Sequence, residues 1–208
     1  MGAGTLWGMA RTVFFDVDTQ FDFVFPAGAL YVPGAERLLP VIARLNEFAA
    51  ANGILVLSTV DAHPENDGEF TEYAAHSVRG TTGQRKPDST VLSPRATLPE
   101  NTAMLPALTG IKQVLVEKST VDCFRNRNLA RLLAHLGVTD CAVYGVATEV
   151  AVRHAAMGLV RLGYRVQLVT DAIQDLSEPI ARRTRAELAR DGGILTDSTA
   201  LVSRTLAP

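Results

Sequence analysis

The chain has 208 residues, of which 47% are hydrophobic and 20% are charged, and its formal net charge is −2. This length predicts a single domain over residues 1–208 that buries enough apolar surface to fold without disulfides or a structural metal. The near-neutral charge argues against a nucleic-acid or membrane-surface partner, and no apolar run approaches the ~20 residues that span a bilayer.

The first half of the chain contains two predicted strands separated by a helix. A run rich in aromatic and β-branched residues at 12–18 predicts the first strand. Apolar residues at helical spacing predict a helix between Pro33-Gly34 and Asn52-Gly53, and residues 54–60 form the second predicted strand. A polar stretch then extends from 61 to about 101, with one weak strand candidate at Thr90–Ser93. Such a long stretch without clear structure is typical of a functional loop.

The second half of the chain continues the alternation of strands and helices. Strands are predicted at 113–118, 141–146, 165–173 and 192–195, with helices near 129–136, 152–162 and 178–191. This alternation predicts right-handed crossovers and a parallel sheet. We therefore predict a three-layer, doubly wound α/β fold with six parallel strands and helices on both faces. In open parallel sheets, functional sites lie beyond the carboxyl ends of the strands.

Polar side chains stand at the carboxyl ends of four predicted strands. Asp18 ends the first strand, Asp61 and His63 follow the second, Lys118 ends the third, and residues 145–149 follow the fourth. Taken singly, Asp18 is explained as a turn cap and Lys118 as a surface lysine. Asp61 and His63 are more specific, because residues i and i+2 of an extended segment can reach one ion. His76, further along the loop, is a candidate third ligand that leaves coordination positions open.

The other residues capable of chemistry favour structural roles. Asp16 is interpreted as a structural polar group, and His135 and His154 as packed or solvated helix residues. The chain has only two cysteines, which cannot form a disulfide scaffold and favour a reducing cytoplasm. The N-terminal segment MGAGTLWGMAR lacks the charged start and apolar stretch of a signal peptide. These features predict a cytoplasmic protein that acts on a small molecule.

Four segments, in order, resemble the motifs of the isochorismatase-like hydrolases, a cysteine hydrolase family, and within it the nicotinamidase branch. DTQFDFVFPAGALYVPGAE resembles the opening motif, and STVDAHPEND with HSVRGTTG resembles the metal-binding segments. Lys118 followed by Asp122-Cys123-Phe124 resembles the lysine strand and its loop. YGVATEVAVRHAAMGL resembles the nucleophile segment. The match extends from about Thr12 to Ala172, and the order of the motifs identifies the chain as a family member.

The resemblance implies a role for each charged candidate. Asp18 is expected to be the general base or acid, and Lys118 its charged partner. Asp61, His63 and His76 are expected to hold a divalent metal, which is zinc, iron or manganese in such sites. The family also implies a Rossmann-like sheet, assembly into a homo-oligomer and a small amide such as nicotinamide as substrate.

The resemblance also implies a special backbone geometry in the nucleophile segment. The Val146–Ala147 peptide is expected to be cis, a conformation that costs ~3–4 kcal/mol without proline. The N–H groups of Ala147 and Ala151 are expected to form an oxyanion hole. Substrate specificity is expected to reside in residues 23–31 and 70–84.

One departure from the family pattern affects the predicted chemistry. The amidase branch continues Gly-Val-Ala-Thr-Glu-aromatic-Cys-Val, whereas this chain has Ala151 in place of the nucleophilic cysteine. Alanine has no lone pair with which to attack a carbonyl carbon. Cys141 lies in a predicted buried strand, where a free thiol acts as a small hydrophobe. Cys123 lies in a loop that could border the pocket, but a relocated thiol rarely reproduces the geometry of a triad.

Three functions remain compatible with the sequence. The first is a metal-dependent amidase whose cysteine was lost by divergence or replaced by engineering. The second is a vinyl-ether hydrolase of the isochorismatase type, which has a small residue at the cysteine position but generally lacks the metal ligands. The third is a binding or assembly member of the family without turnover. The intact Asp61, His63 and His76 favour the amidase, and the retained Asp18 and Lys118 argue against loss of turnover.

Overall fold

The computed structural model describes residues 11–205, in which seven parallel strands form one sheet. The strands are β1 (Thr12–Val17), β2 (Leu55–Asp61), β3 (Arg95–Leu98), β4 (Gln113–Lys118), β5 (Asp140–Val146), β6 (Arg165–Gln174) and β7 (Ile194–Thr196). Their order is β3-β4-β2-β1-β5-β6-β7, and every neighbouring pair is parallel. The predicted fold class is therefore confirmed. The N-terminal segment on which the signal-peptide prediction rests lies outside the described residues, apart from Arg11.

Helices connect the strands and cover the sheet. They are α1 (Phe21–Val24), α2 (Leu39–Ala51), α3 (Arg127–Leu136), α4 (Arg153–Arg161), α5 (Glu178–Arg190) and α6 (Ser198–Thr205). Short 3-10 turns lie at Ala35–Leu38, Gly68–Thr71, Asp88–Thr90 and Cys123–Arg125, and a π-helical turn at Thr148–Val152. Helix α2 packs on β1 and β2 beside α6, whereas α4 packs on β5 and β6 beside α5. Among residues 11–205, none of the helices is both long and apolar enough for a bilayer crossing.

Helix α3 illustrates how local sequence sets these boundaries. The side chain of Asn126 accepts a hydrogen bond from the Asn128 N–H at 3.1 Å, which caps the first turn. At the other end, Gly137 adopts a left-handed φ of 63°, which terminates the helix without a steric penalty. Between the caps, four buried leucines recur at helical spacing, at positions 129, 132, 133 and 136.

The prediction of six strands was wrong by one. The additional strand is β3, which pairs with β4 at the edge of the sheet. The weak candidate at Thr90–Ser93 is not a strand, because Thr90 closes a 3-10 turn and Pro94 follows Ser93. The strand begins directly after that proline. Its first three residues are half-buried or exposed, so it lacks the apolar run that marks the central strands.

The strand order determines where a ligand site is expected in this sheet. The chain proceeds from β1 to β2 and on to the edge strand β3, returns to place β4 between β2 and β3, and then adds β5 on the other side of β1. The order therefore reverses beside β1, and the carboxyl ends of β1, β2, β4 and β5 border the crevice at that point. This is the position where open α/β sheets bind ligands.

A buried ion pair attaches the long loop to the sheet next to this crevice. Asp16 is fully buried, and its Oδ2 lies 2.9 Å from Lys86 Nζ. The same carboxylate accepts hydrogen bonds from Asn46 Nδ2 at 3.0 Å and Thr19 Oγ1 at 2.6 Å. Since removing one member would leave an uncompensated buried charge, Asp16 has the structural role that the sequence suggested. The loop that follows β2 is thereby fixed over the sheet.

The closest approach of two strands in this region requires a glycine. Gly145 in β5 has a φ of 121°, and a Cβ atom there would lie 2.1 Å from the carbonyl oxygen of Val17 in β1. No side chain fits that distance, and the backbone cannot move without disturbing the residue that precedes Asp18. Gly145 therefore maintains the contact between the two strands that border the crevice.

We expect Gly145→Ala to lower the free energy of unfolding by about 3 kcal/mol or more, because steric overlap adds to backbone strain. Chemical denaturation of the purified variants measures the effect. The matched control is Gly163→Ala, where φ is also positive at 86° but nothing lies within 4 Å of the added methyl group. The control should lose only about 1 kcal/mol, from backbone strain alone. Equal losses in the two variants would contradict the steric argument.

Candidate active site

The carboxyl ends of the four central strands surround a cavity of about 270 Å³. All predicted site residues except His63 line it, namely Asp18, Asp61, His76, Lys118, Val146, Ala147 and Ala151. The remaining walls are mainly apolar and come from Phe23, Leu30, Tyr31, Val32, Glu69, Tyr73, Val121, Val150 and Leu176. The two segments expected to set specificity supply several of these walls, but residues 32, 69, 121, 150 and 176 lie outside both.

At the base of the cavity, Lys118 lies between two carboxylates. Its Nζ is 2.8 Å from Asp18 Oδ2, and it also donates a short hydrogen bond to Asp61 Oδ1. The register of β2 and β4 explains the second contact, because Asp61 and Lys118 are direct neighbours across the two strands. All three side chains are buried, and the lysine is 1% exposed. Lys118 is thus a buried ion-pair partner and not a surface residue.

Asp18 is held in place by its backbone as well as by its side chain. It follows the last residue of β1 and has a left-handed φ of 50°, which is uncommon for a residue other than glycine. Its N–H donates to the Thr59 carbonyl oxygen at 3.1 Å, and its Oδ1 accepts a hydrogen bond from Thr59 Oγ1 at 2.5 Å. Both carboxylate oxygens of Asp18 therefore have defined partners. Thr59 was not identified as a site residue from the sequence.

Burial and charge affect the three groups differently. Burial raises the pKa of Asp18 above its ordinary value, although the Lys118 ammonium partly offsets this effect. Burial would also raise the pKa of Asp61, but the Lys118 ammonium opposes this effect and the pKa is held well below the usual range. The pKa of Lys118 is raised, because the two carboxylates outweigh the effect of burial. Asp18 is therefore the carboxyl group of the pair better suited to exchange a proton.

Asp61 connects this ion pair to two histidines. Its Oδ2 lies 3.8 Å from His63 Nε2 and 3.6 Å from His76 Nε2. The candidate ligand atoms of the three residues all lie within 4.8 Å of one another. All three side chains are buried, and they bring together the carboxylate and two imidazoles that the sequence predicted as metal ligands.

The hydrogen bonds of the two histidines orient both rings toward that cluster. His76 Nδ1 lies 2.9 Å from the Ala74 carbonyl oxygen, and His63 Nδ1 lies 3.0 Å from Asp67 Oδ2. Because these partners accept hydrogen bonds, each Nδ1 carries the proton and each Nε2 presents its lone pair. His63 Nε2 is buried and has no hydrogen-bond partner among the described residues. A divalent cation between Asp61, His63 and His76 would satisfy that atom, so the donor set fits a metal such as zinc.

Two acidic residues near His63 were not identified from the sequence. Asp67 follows His63 by four residues, and it both contacts the His63 ring and accepts the Glu69 N–H at 2.9 Å. Glu69 lines the cavity, its Oε2 lies 4.0 Å from His63 Nδ1, and burial raises its pKa. The spacing of Asp67 from His63 was the only available signal, and acidic residues at that spacing are common in solvated loops.

Gln20 fixes the backbone of Asp61 from a distant part of the chain. Its Nε2 donates to the carbonyl oxygens of Asp61 and Gln84, both at 2.8 Å, and its Oε1 accepts the Asp61 N–H at 2.7 Å. The side chain is fully buried. Gln20 therefore joins the turn after β1, the end of β2 and the long loop. The sequence placed it in a motif without assigning it a role.

The segment after β5 contains the irregular backbone that the resemblance implied. The Val146–Ala147 peptide is cis. A π-helical turn follows, in which Val150 has non-helical angles of φ −113° and ψ −105°. Ala151 is 6% exposed and lines the cavity with a methyl group. The side chain of Glu149 accepts the N–H groups of Leu176 and Ser177, which fixes one apolar wall.

Neither cysteine occupies the position of the missing thiol. Cys123 and Cys141 are both buried and free, and neither lines the cavity. Burial raises the pKa of each thiol well above its ordinary value, so both remain protonated and weakly nucleophilic.

His135 is exposed on α3, and His154 Nδ1 contacts the Val150 carbonyl oxygen at 2.9 Å. These two histidines do not line the cavity.

Comparison with known proteins supports the family to which the motifs point. A model of the Isochorismatase domain family matches residues 12–200. A nicotinamidase of Escherichia coli is 25% identical over 181 residues, covering 77% of this chain and 82% of that protein. A "probable inactive nicotinamidase" of Arabidopsis thaliana is 24% identical over 172 residues, covering 78% of this chain and 80% of that protein. The structure of a pyrazinamidase of Pyrococcus horikoshii in complex with zinc superimposes with a TM-score of 0.75 at 26% identity, covering 90% and 99%.

We expect Gln20→Leu to weaken zinc binding roughly 10- to 100-fold, because residues that orient metal ligands contribute about that much to affinity. Competition with a chromogenic chelator measures the affinity. The matched control is Gln113→Leu, since Gln113 is also fully buried and its amide also makes three hydrogen bonds, at the opposite end of β4. Both variants should lose stability, but only the first should lose zinc affinity. Unchanged zinc affinity in a folded Gln20→Leu protein would show that this residue does not position Asp61.

Proposed function

Because this chain belongs to the isochorismatase family of hydrolases, we propose that its cavity is the site of a metal-dependent amidohydrolase for the C–N bond of a small amide. The observation that carries the proposal is the arrangement around Asp61. One of its oxygens contacts Lys118 and the other faces two imidazoles. Two of the three candidate metal ligands, Asp61 and His76, therefore border the same cavity as the Asp18–Lys118 pair. Ala151 lines that cavity at the position where the family pattern places a cysteine.

The residues suggest a role for each group when a thiol is present at position 151. Asp18 would accept the thiol proton, and the Lys118 ammonium would stabilise the charges that develop around it. The thiolate would attack the amide carbon, while N–H groups of the segment after β5 would stabilise the oxyanion. Asp18 would return the proton to the departing ammonia, and water would hydrolyse the thioester to the acid and the free thiol.

The metal ligands have a separate role in this proposal. Asp61, His63 and His76 would hold a divalent metal, for which zinc is the first candidate and iron or manganese the alternatives. When bound, such a metal supplies Lewis acidity and a fixed point for orienting a substrate or water. Asp67 and the Ala74 carbonyl would fix the orientation of the two imidazole rings.

In this chain, Ala151 cannot act as the nucleophile. The other residues that line the cavity determine which substrates fit. Apart from Lys118, no lysine or arginine is among the lining residues, and Lys118 is already paired with two carboxylates. Phe23, Tyr73 and Leu176 supply apolar walls. These walls suit a neutral substrate with an apolar body.

The proposal also includes a cytoplasmic location and assembly into a homo-oligomer. The two free, buried cysteines are compatible with a reducing cytoplasm. Leu176 and Ile180 are 54% and 48% exposed, and Leu176 lines the cavity. Exposed apolar residues beside the cavity are what a homo-oligomer would cover.

The metal centre can be tested on the four histidines of the chain. We expect the metal-stripped protein to bind one zinc ion, and His63→Ala and His76→Ala to weaken binding about 100-fold or more, because each removes a ligand. The same substitution at His135 or His154 should leave the affinity unchanged, which controls for the loss of an imidazole. Inductively coupled plasma mass spectrometry and chelator competition give the stoichiometry and the affinity. A parent protein that binds no zinc, iron or manganese would contradict the amidase assignment.

The missing nucleophile can be tested by restoring it. We expect Ala151→Cys to increase ammonia release from small amides, nicotinamide included, about 100-fold or more over the parent, because the supporting groups are in place. Ala151→Ser should gain far less, since a hydroxyl group is much harder to ionise. The double variant Ala151→Cys/Asp18→Asn should lose the gain.

Two outcomes would contradict this interpretation. A folded, zinc-loaded Ala151→Cys protein with no amidase activity on any amide tested would indicate a binding protein without turnover. Hydrolysis of isochorismate by the parent, abolished in Asp18→Asn, would establish the vinyl-ether reaction instead.

A further inference from the structure

A second cavity, of about 590 Å³, carries an unusual concentration of positive charge. It lies beside the start of α3 and is lined by Glu100, Asn101, Thr102, Phe124, Arg125, Arg127, Asn128 and Arg131. None of these residues lines the cavity around Asp18 and Asp61. Three of the eight are arginines, whereas Glu100 is the single acid. The Glu100 carboxylate accepts a hydrogen bond from Ser119 Oγ at 2.8 Å.

The three arginines differ from five other arginines that form ion pairs. In the second half of the chain, five arginines each have a carboxylate oxygen within 3.0 Å, at positions 153, 165, 182, 185 and 190. Arg125, Arg127 and Arg131 have no carboxylate within 4.0 Å among residues 11–205, and all three are exposed. Three positive charges beside the single carboxylate of Glu100 create a local positive potential, which attracts anions.

One of the three guanidinium groups is held in position by neutral partners. Arg131 Nη1 donates to Asn128 Oδ1 at 2.7 Å and to the Ala103 carbonyl oxygen at 3.2 Å. Asn128 is buried, and its Nδ2 donates to the Thr102 carbonyl oxygen at 2.7 Å. These contacts fix Arg131 without neutralising it. A fixed, charged guanidinium is suited to two parallel hydrogen bonds with a phosphate group.

We propose that this cavity binds a phosphate-bearing small molecule of nucleotide size, with the three arginines on the phosphates and Phe124 against the organic part. Phe124 is half-buried, and its ring edge packs against Gly158 of α4, where a Cβ atom would lie 2.5 Å from Cε2. The ring therefore forms a fixed apolar wall beside the arginines. The volume falls within the range of about 300–1,000 Å³ that is typical of small-molecule sites.

The proposed site is independent of the metal-dependent function. The segment 119–125 separates the two cavities, since Val121 lines the first and Arg125 lines the second. None of the candidate metal ligands belongs to the second cavity. Zinc affinity therefore reports on the first cavity alone, and nucleotide affinity reports on the second.

Isothermal titration calorimetry of the full chain tests the proposal with ADP, pyrophosphate and adenosine as probes. We expect ADP to bind at low salt with a Kd below about 1 mM, to bind more weakly as salt is raised, and to bind more tightly than pyrophosphate. Adenosine should not bind. Arg127→Ala and Arg131→Ala should each weaken ADP binding roughly tenfold, with zinc affinity unchanged.

The matched control is Arg183→Ala on α5, an exposed arginine that likewise has no carboxylate partner within 4.0 Å among the described residues. It should bind ADP as the parent does. Absence of binding by ADP and pyrophosphate at millimolar concentration, or equal affinity in Arg127→Ala and Arg183→Ala, would overturn the site. Adenosine binding as tightly as ADP would overturn the role of the arginines. Pyrophosphate binding more tightly than ADP would overturn the role of Phe124.

Discussion

The ion pair of Lys118 with Asp18 and Asp61 is the constraint on which the rest of the site depends. A buried ammonium group is costly unless carboxylates surround it, and two buried carboxylates are costly unless a cation separates them. The three strands that carry these residues must therefore end at the same level of the sheet. The register of β2 and β4 meets this requirement for Asp61 and Lys118. Asp18 meets it only by leaving extended geometry, with a φ of 50° directly after β1.

Asp61 transmits this constraint to the candidate metal centre. Its Oδ1 contacts Lys118, so its Oδ2 is left to face His63 and His76. Gln20 holds the Asp61 backbone through both its N–H and its carbonyl group, and thereby restricts which way the carboxylate can turn. Asp18, Lys118 and Asp61 thus form one hydrogen-bonded unit, and the two candidate histidine ligands lie within 4 Å of Asp61. A substitution in either part is expected to be felt in the other, because contacting residues in one network are not energetically independent.

The sequence allowed the fold class and the convergence of these residues to be predicted, but not the contacts that support them. Strands such as Gln113–Lys118 are apolar runs bounded by polar residues, and the rule for parallel sheets then brings their ends together. Gln20 and Thr59 could not be assigned roles, because their partners are about 40 residues away in sequence and depend on register. The edge strand β3 escaped prediction because it is short and exposed, so it lacks the apolar pattern of the central strands.

The structure also changes how the presence of Asp18 and Lys118 is interpreted as evidence for catalysis. From the sequence, the presence of both Asp18 and Lys118 argues against a protein that has lost catalysis. In the structure, removing Lys118 would leave two buried carboxylates without their cation, a loss that costs about 3–5 kcal/mol for a buried pair, whereas removing Asp18 would leave Lys118 still paired with Asp61. Selection for folding alone would therefore retain Lys118 in an inactive chain, and its presence says little about catalysis. His63 is a different case, because its buried Nε2 has no hydrogen-bond partner among the described residues, and a cation would satisfy it. His63 therefore supports the proposed metal centre better than the retained Lys118 supports turnover.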